Sequence, residues 1–155
     1  MSERIVSADI QVDASPEVVF AILTDPRQHP RIDGSGSVRR VVSGPQRLSA
    51  KGDTFGVAMS LGVPYVIRNV VVEYDADRRI AWRHFGAHRW RYELQPEGAG
   101  TRVRETWDAS RWHAFGFAVL ERLGFPERNR QGIEATLVRL KDAAEADARS
   151  GGGPS

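Results

Sequence analysis

The segment from Pro126 to Arg149 constrains the fold of this chain more than any other. Ile133, Leu137, Leu140 and Ala144 follow one another at steps of four, three and four residues, which places them on one face of a helix. The remaining faces carry Arg128, Arg130, Glu134, Arg139, Lys141, Asp142, Glu145 and Asp147. Pro126 suits a first helical turn, where a missing N–H costs nothing. Such a helix spans roughly 30 Å, about the width of a small domain, and its apolar stripe has to be covered. The upstream chain supplies mostly strand-like segments, so the expectation is a curved sheet closed around a terminal helix.

Composition narrows the class. At 155 residues the chain is read as one domain over residues 1–149, followed by a flexible Gly- and Ser-rich tail over 150–155. There is no cysteine, which excludes disulfide scaffolds, thiolate zinc sites and cysteine nucleophiles. The 22 Lys and Arg nearly balance 20 Asp and Glu, so the basic excess that nucleic-acid binding needs is missing. No apolar run approaches the ~20 residues that cross a bilayer, so no stable membrane insertion is expected. Met1-Ser2-Glu3-Arg4 leads into a strand pattern without an apolar signal core, and the chain reads as cytoplasmic.

Taken in order, Ile5–Val12 is strand-like, with an alternation that slips between Val6 and Ala8. Ser15-Pro16-Glu17 announces a helix through a serine cap, an early proline and an acid in the first turn. Asp25-Pro26 opens a second short helix, expected to stop near His29-Pro30 because residues before proline avoid the helical region. Asp33-Gly34-Ser35-Gly36 reads as a loop. Strand patterns follow over Val38–Val42, Thr54–Leu61, Tyr65–Tyr74, Arg79–Phe85, Arg89–Leu94 and Thr101–Trp107, separated by short turns that imply an antiparallel meander. Trp112–Leu123 is helical in pattern, and Gly124-Phe125-Pro126 breaks it.

Several of these stretches carry a resemblance. Ala14-Ser15-Pro16-Glu17-Val18-Val19-Phe20, Leu23-Thr24-Asp25-Pro26, Val72-Glu73-Tyr74-Asp75, Arg79-Ile80-Ala81-Trp82 and Gly100-Thr101-Arg102-Val103 recur in this order and spacing in the START-like, Bet v 1-type (SRPBCC) superfamily. The chain resembles its polyketide cyclase/dehydrase branch over nearly its whole length. The resemblance implies an α+β helix-grip fold: a curved antiparallel sheet around a long C-terminal helix, with two short helices after the first strand. It also implies a hydrophobic guest such as a lipid or polyketide, and catalysis in only some branches. Where the family often carries an aromatic residue, commonly tryptophan, this chain reads Ile32-Asp33-Gly34-Ser35-Gly36.

Strand parity assigns the inner face. Arg102 and Arg104 belong in water, which sends Val103, Glu105 and Trp107 inward. By the same argument Trp90, Tyr92 and Leu94 point in, as do Ile80, Trp82 and His84, and Phe55, Val57, Met59 and Leu61. In Tyr65–Tyr74 one register takes Val66, Val70, Val72 and Tyr74 inward together with Arg68, and the other carries Asn69 and Glu73; the first is favoured. The expected ligand wall is Phe55, Met59, Trp82, Trp90 and Trp107, with Ile133 and Leu137 from the terminal helix and Phe115 from a gate formed with Trp112, Phe117 and Leu120.

An inward Glu105 is costly unless paired or protonated, so it is either half of an ion pair with Arg68 or another arginine, or a functional group. Tyr92 is a core tyrosine or a proton donor, and His84 a wet strand-end histidine or a base. Cyclisation or dehydration of a polyketide needs a base next to a carbonyl and a group that protonates an oxygen. His84 or Glu105 would be the base, and Tyr92 or Arg68 would orient the oxygen. His84, His88 and His113 lack the spacing of a metal set, and no cofactor is expected. The Asp33–Gly36 loop reads as a mobile segment at the cavity mouth, with anion wrapping as the alternative. Arg83, Arg89, Arg91, Arg102 and Arg104 share the outer face, as a solvated surface or as a dock for an anionic partner or membrane. The expected function is binding of a hydrophobic small molecule by a monomer or homodimer. The alternatives are a cyclase or dehydratase and an interaction module.

Overall fold

The computed structural model describes residues 4–60, 62–83 and 87–150. Leu61, His84, Phe85, Gly86 and most of the expected tail, 151–155, lie outside the described residues. The elements run β1 (Ile5–Val12), α1 (Pro16–Leu23), a 3-10 turn (Pro26–Gln28), α2 (His29–Ile32), β2 (Val38–Ser43), β3 (Thr54–Ser60), β4 (Pro64–Asp75), β5 (Arg79–Arg83), β6 (Arg89–Glu97), β7 (Gly100–Asp108), α3 (Ala114–Arg122) and α4 (Phe125–Arg149). The strands form one antiparallel sheet in the order β1-β7-β6-β5-β4-β3-β2. This is the helix-grip architecture.

Local chemistry sets the boundaries. The Ser15 hydroxyl accepts from the Val18 N–H and Pro16 opens α1, while the Asp25 carboxylate accepts from the Arg27 N–H to start the 3-10 turn. The helical path does not stop at His29-Pro30. The 3-10 turn hands over to α2 at His29, so Pro30 falls in a first turn that needs no donor, and Ile32 reaches the core. Gly124, at φ 80°, makes the left-handed corner between α3 and α4.

β1 pairs with β7 without a slip, from Ile5 opposite Asp108 to Val12 opposite Thr101. Its inner face is Val6, Ala8, Ile10 and Val12, so the apparent break in alternation came from Ile5, an apolar residue on the outer face.

β4 departs from its expected register. Asn69 and Val71 are buried, while Arg68 and Val66 are exposed. Beyond Val71 the pairing with β5 shifts, from Val71 opposite Trp82 to Glu73 opposite Ala81. This bulge reverses the parity, so Tyr74 packs edge-on against Phe20 and Glu73 faces outward. Arg68 is therefore not an inner residue: the bulge lets Tyr74 point inward without taking Arg68 along.

The stripe Ile133, Leu137, Leu140 and Ala144 is fully buried. It lies on β1 and β7 and against α1, α2 and α3. Toward β3, β4 and β5 the inner face meets the first helices instead, through Phe20 against Tyr74 and His29 against Phe55 and Trp82. Among the described residues no helix is long and apolar enough to cross a membrane.

Candidate functional site

Neighbouring inner strands bring the site together. Tyr92 on β6 stands directly opposite Glu105 on β7, and Trp90 opposite Trp107. Glu105 is 4% exposed, and no lysine or arginine is among the buried residues described. Burial pushes the Glu105 carboxyl up to about 8, the Tyr92 hydroxyl that donates to it pulls the other way, and the charge of Asp33 adds to the rise. Tyr92 is itself held well above its usual range, first by burial and then by Glu105. Near neutral pH Glu105 is thus a neutral carboxylic acid, and the ion pair with Arg68 does not form. Two polar atoms on this wall, Glu105 Oε1 and Trp107 Nε1, are buried and have no hydrogen-bond partner among the described residues.

The aromatic residues sort into two groups. In the first, the His29 ring stacks on Trp82 with centroids 4.9 Å apart and meets Phe55 edge-on at 5.3 Å. Trp82 in turn touches Tyr92 at 5.6 Å. His29 Nε2 donates to the Leu23 carbonyl at 2.9 Å, and burial pushes its pKa down, so it sits there as a neutral ring. In the second group Trp107, 1% exposed, lies 5.8 Å from His88, which stacks against Trp112 and meets Trp90 edge-on. His88 Nδ1 accepts from Trp112 Nε1 at 3.3 Å, and burial lowers its pKa.

Phe55, Trp107, Ile133 and Leu137 are buried, and Met59, Trp82 and Trp90 are partly buried against the core. Phe115 is not part of this wall. It is 77% exposed because α3 turns Phe117 inward, beneath the Arg4 guanidinium, and leaves Phe115, Val119 and Leu123 outside. His84 lies outside the described residues. Among the described residues no cluster of His, Asp and Glu could hold a metal ion.

The sequence places the Asp33 loop at the cavity mouth but assigns neither Asp33 nor His29 a part in the interior. His29 opens and Asp33 caps a four-residue helix, too short for periodicity to mark a face. The loop itself is hydrogen-bonded to α4 and to the start of β2. The Asp33 carboxylate accepts from Ser35 and from the Val38 N–H, Gly34 N–H donates to Thr136 Oγ1, and Arg139 donates to the Asp33 carbonyl. A Cβ on Gly34 would come within 2.5 Å of Ala135 Cβ and Thr136 N, so only glycine lets the loop approach α4 this closely.

The outer face is paired charge. Glu73 accepts from Arg89 at 2.9 Å and from Arg91 at 2.7 Å, and Arg91 also reaches Asp108 at 3.2 Å. Arg102 pairs with Glu97 and Arg104 with Asp9. A surface depression of about 440 Å³ runs along Arg27 and Arg40 to Gly44. It is open to solvent and differs in kind from the Glu105 wall, being lined by Arg27, Arg40 and Val41 to Gly44 rather than by unpartnered buried groups.

A family model described as polyketide cyclase/dehydrase and lipid transport matches residues 3–145. The chain belongs to this family. A curated relative, the uncharacterized protein Rv0088 of Mycobacterium tuberculosis (strain ATCC 25618 / H37Rv), is 39% identical over 144 residues. That match covers 88% of this chain and 62% of the relative, so the chain spans less than two thirds of the relative's length. Among solved structures, protein NE0264 of Nitrosomonas europaea superposes with a TM-score of 0.70 at 16% identity, covering 96% of this chain and 99% of that one. An AHSA1-like protein of Aeromonas hydrophila gives 0.67 at 19% identity, covering 93% and 94%. At these identities the structural likenesses show the fold alone, the helix-grip architecture expected from the START-like resemblance.

Proposed function

We propose that the chain binds an apolar small molecule against the inner face of β6 and β7, beneath α4, with Glu105 and Tyr92 as its polar anchor. One observation carries this reading: a carboxyl group is buried without a cation, and one of its oxygens is left unpartnered. Burying a polar group without a hydrogen bond costs about 1–3 kcal/mol, and such groups in native interiors call for an explanation. Trp107, the next inward residue along β7, and Trp82, which packs against Tyr92, suit a lipid- or polyketide-like guest. Entry would be easiest past α3, which buries only Phe117 and is joined to α4 by the left-handed Gly124.

Solvent extraction of the purified full chain, followed by mass spectrometry, should yield an apolar molecule. Long-chain and polyaromatic probes should quench tryptophan emission and raise Tm, since a ligand that binds only the native state stabilises it. If extraction yields no such molecule and no probe shifts either signal, the reading is wrong.

A second reading is favoured by the protonation state of Glu105. A neutral carboxylic acid in a dry site can protonate a departing hydroxyl, which is the acid step of a dehydration. Glu105→Gln would then abolish turnover of a substrate that still binds; unchanged turnover would eliminate the enzyme reading. The outer face favours docking to an anionic partner least, because its arginines are largely engaged by Glu73, Glu97, Asp9 and Asp108.

A further inference from the structure

We infer that the interior selects an uncharged, oxygen-bearing apolar molecule, such as a ketone, ester or alcohol, and holds its oxygen between Glu105 and Trp107 while rejecting carboxylates and ammonium ions. This deepens the proposed function and rests on it.

Glu105 and Trp107 are successive inward residues on β7, with Cα atoms roughly 6.7 Å apart along the strand. Each presents one sealed atom, Oε1 and Nε1, that no described residue satisfies. Trp107 Nε1 can only donate, so its partner must be an acceptor. A protonated Glu105 donates or accepts. A carbonyl or hydroxyl oxygen satisfies this pair; a hydrocarbon leaves both atoms unmade.

Charge decides the rest. Among the described residues no lysine or arginine is buried, and the groups bearing on Glu105 are Tyr92 and Asp33. Among the described residues His29 is the one histidine buried in the core, and its Nε2–H is committed to Leu23. Burial pushes down the pKa of both His29 and the half-buried His88 beside Trp107, so neither favours a cation there. Arg139 is spent on the Asp33 carbonyl at the exposed side, and Arg68 lies on the outer face. A carboxylate entering here would meet two acids and no cation, and an unpaired buried charge costs several kcal/mol. An ammonium could ionise Glu105 and pair with it, but it offers Trp107 no acceptor and leaves that N–H unmade.

The test uses the purified full chain and two matched ligand sets, read by tryptophan fluorescence and calorimetry. One set is methyl decyl ketone, dodecanoate, dodecylamine and dodecane; the other is methyl naphthyl ketone, naphthoate and naphthalene. At slightly acid pH the ketone should bind at least about tenfold more tightly than the charged members and the hydrocarbon of its set, a difference of about 1.4 kcal/mol. Trp107→Phe, which keeps the ring and removes the N–H, and Glu105→Leu should each shrink the ketone's advantage over the hydrocarbon to about threefold or less. Equal or tighter binding of a carboxylate or amine overturns the inference and leaves the apolar-ligand reading standing. So does an undiminished ketone preference in both variants. Binding by no member of either set, hydrocarbons included, overturns both.

Discussion

Glu73 and Glu105 project from opposite faces of one sheet and end in opposite states. Glu73, on the outer face, is clasped by Arg91 and Arg89, and their hydrogen bonds bring its carboxyl from 4.5 down to about 2. Glu105, on the inner face, has the Tyr92 phenol but no lysine or arginine among the buried described residues, and burial carries it from 4.5 up to about 8. A charged glutamate that strengthens a fold is surrounded by arginine at the rim of water. An uncharged one costs the fold something, and its place in an interior is explained by what it can offer a guest. The contrast also locates function: Arg89, Arg91, Arg102 and Arg104 on the outer face neutralise acids, while Glu105 on the inner face is left half satisfied.

The largest effect that would sharpen this comparison comes from Glu105→Gln. Between pH 4.5 and 8 the native state keeps a proton that the unfolded chain has released, so native stability falls as pH rises through that window. The other groups facing it are Tyr92, which stays protonated there, and Asp33. The variant should lose this slope and, in urea titrations, overtake the native protein by about 3 kcal/mol on going from pH 5 to pH 8. Parallel pH profiles for the two proteins would place a countercharge beside Glu105 after all.

Glu73→Gln should show the opposite sign. A depressed carboxyl contributes stability that is full above about 4.5 and is lost as pH falls toward 2. The substitution should cost about 1–2 kcal/mol at neutral pH, the scale of a partly buried charge-assisted pair, and progressively less in acid. A cost that does not change between pH 7 and pH 3 would mean that Glu73 acts by packing rather than charge.

Smaller effects mark the edges of the comparison. Arg104→Ala removes an exposed partner of Asp9 and should cost under about 1 kcal/mol, shrinking further in high salt. Arg68→Ala should change stability by less than about 0.5 kcal/mol and leave binding of a ketone probe intact, because that side chain is on the solvent side of β4. Loss of ketone binding in Arg68→Ala would return it to the inner face and undo the register of β4.

Much of the inner face could be read directly from the chain because alternating arginines mark the outside. Arg102 and Arg104 on β7 and Arg89 and Arg91 on β6 force Glu105, Trp107 and Tyr92 inward, and all three are buried. The same logic failed on β4, where one inserted residue in the ladder reverses parity between Val71 and Glu73 without leaving a compositional trace. It failed again for Phe115, since α3 has apolar residues on more than one face and only packing decides which one is covered. The inward roles of His29 and Asp33 were invisible for a third reason: the groups they act on, Trp82, Phe55, Tyr92 and Glu105, are more than twenty residues away in the chain.

By itself the sequence determined the order of elements, the antiparallel meander, the buried stripe of α4 and the helix-grip class, because each depends on spacing or capping within a dozen residues. Only the tertiary structure decided that Glu105 goes without an arginine, that Asp33 adds its field to the same interior, and that the outer arginines are spent on acids of neighbouring strands. Those outcomes depend on which side chains meet across the sheet, and a pairing energy is set by distance and burial rather than by position along the chain.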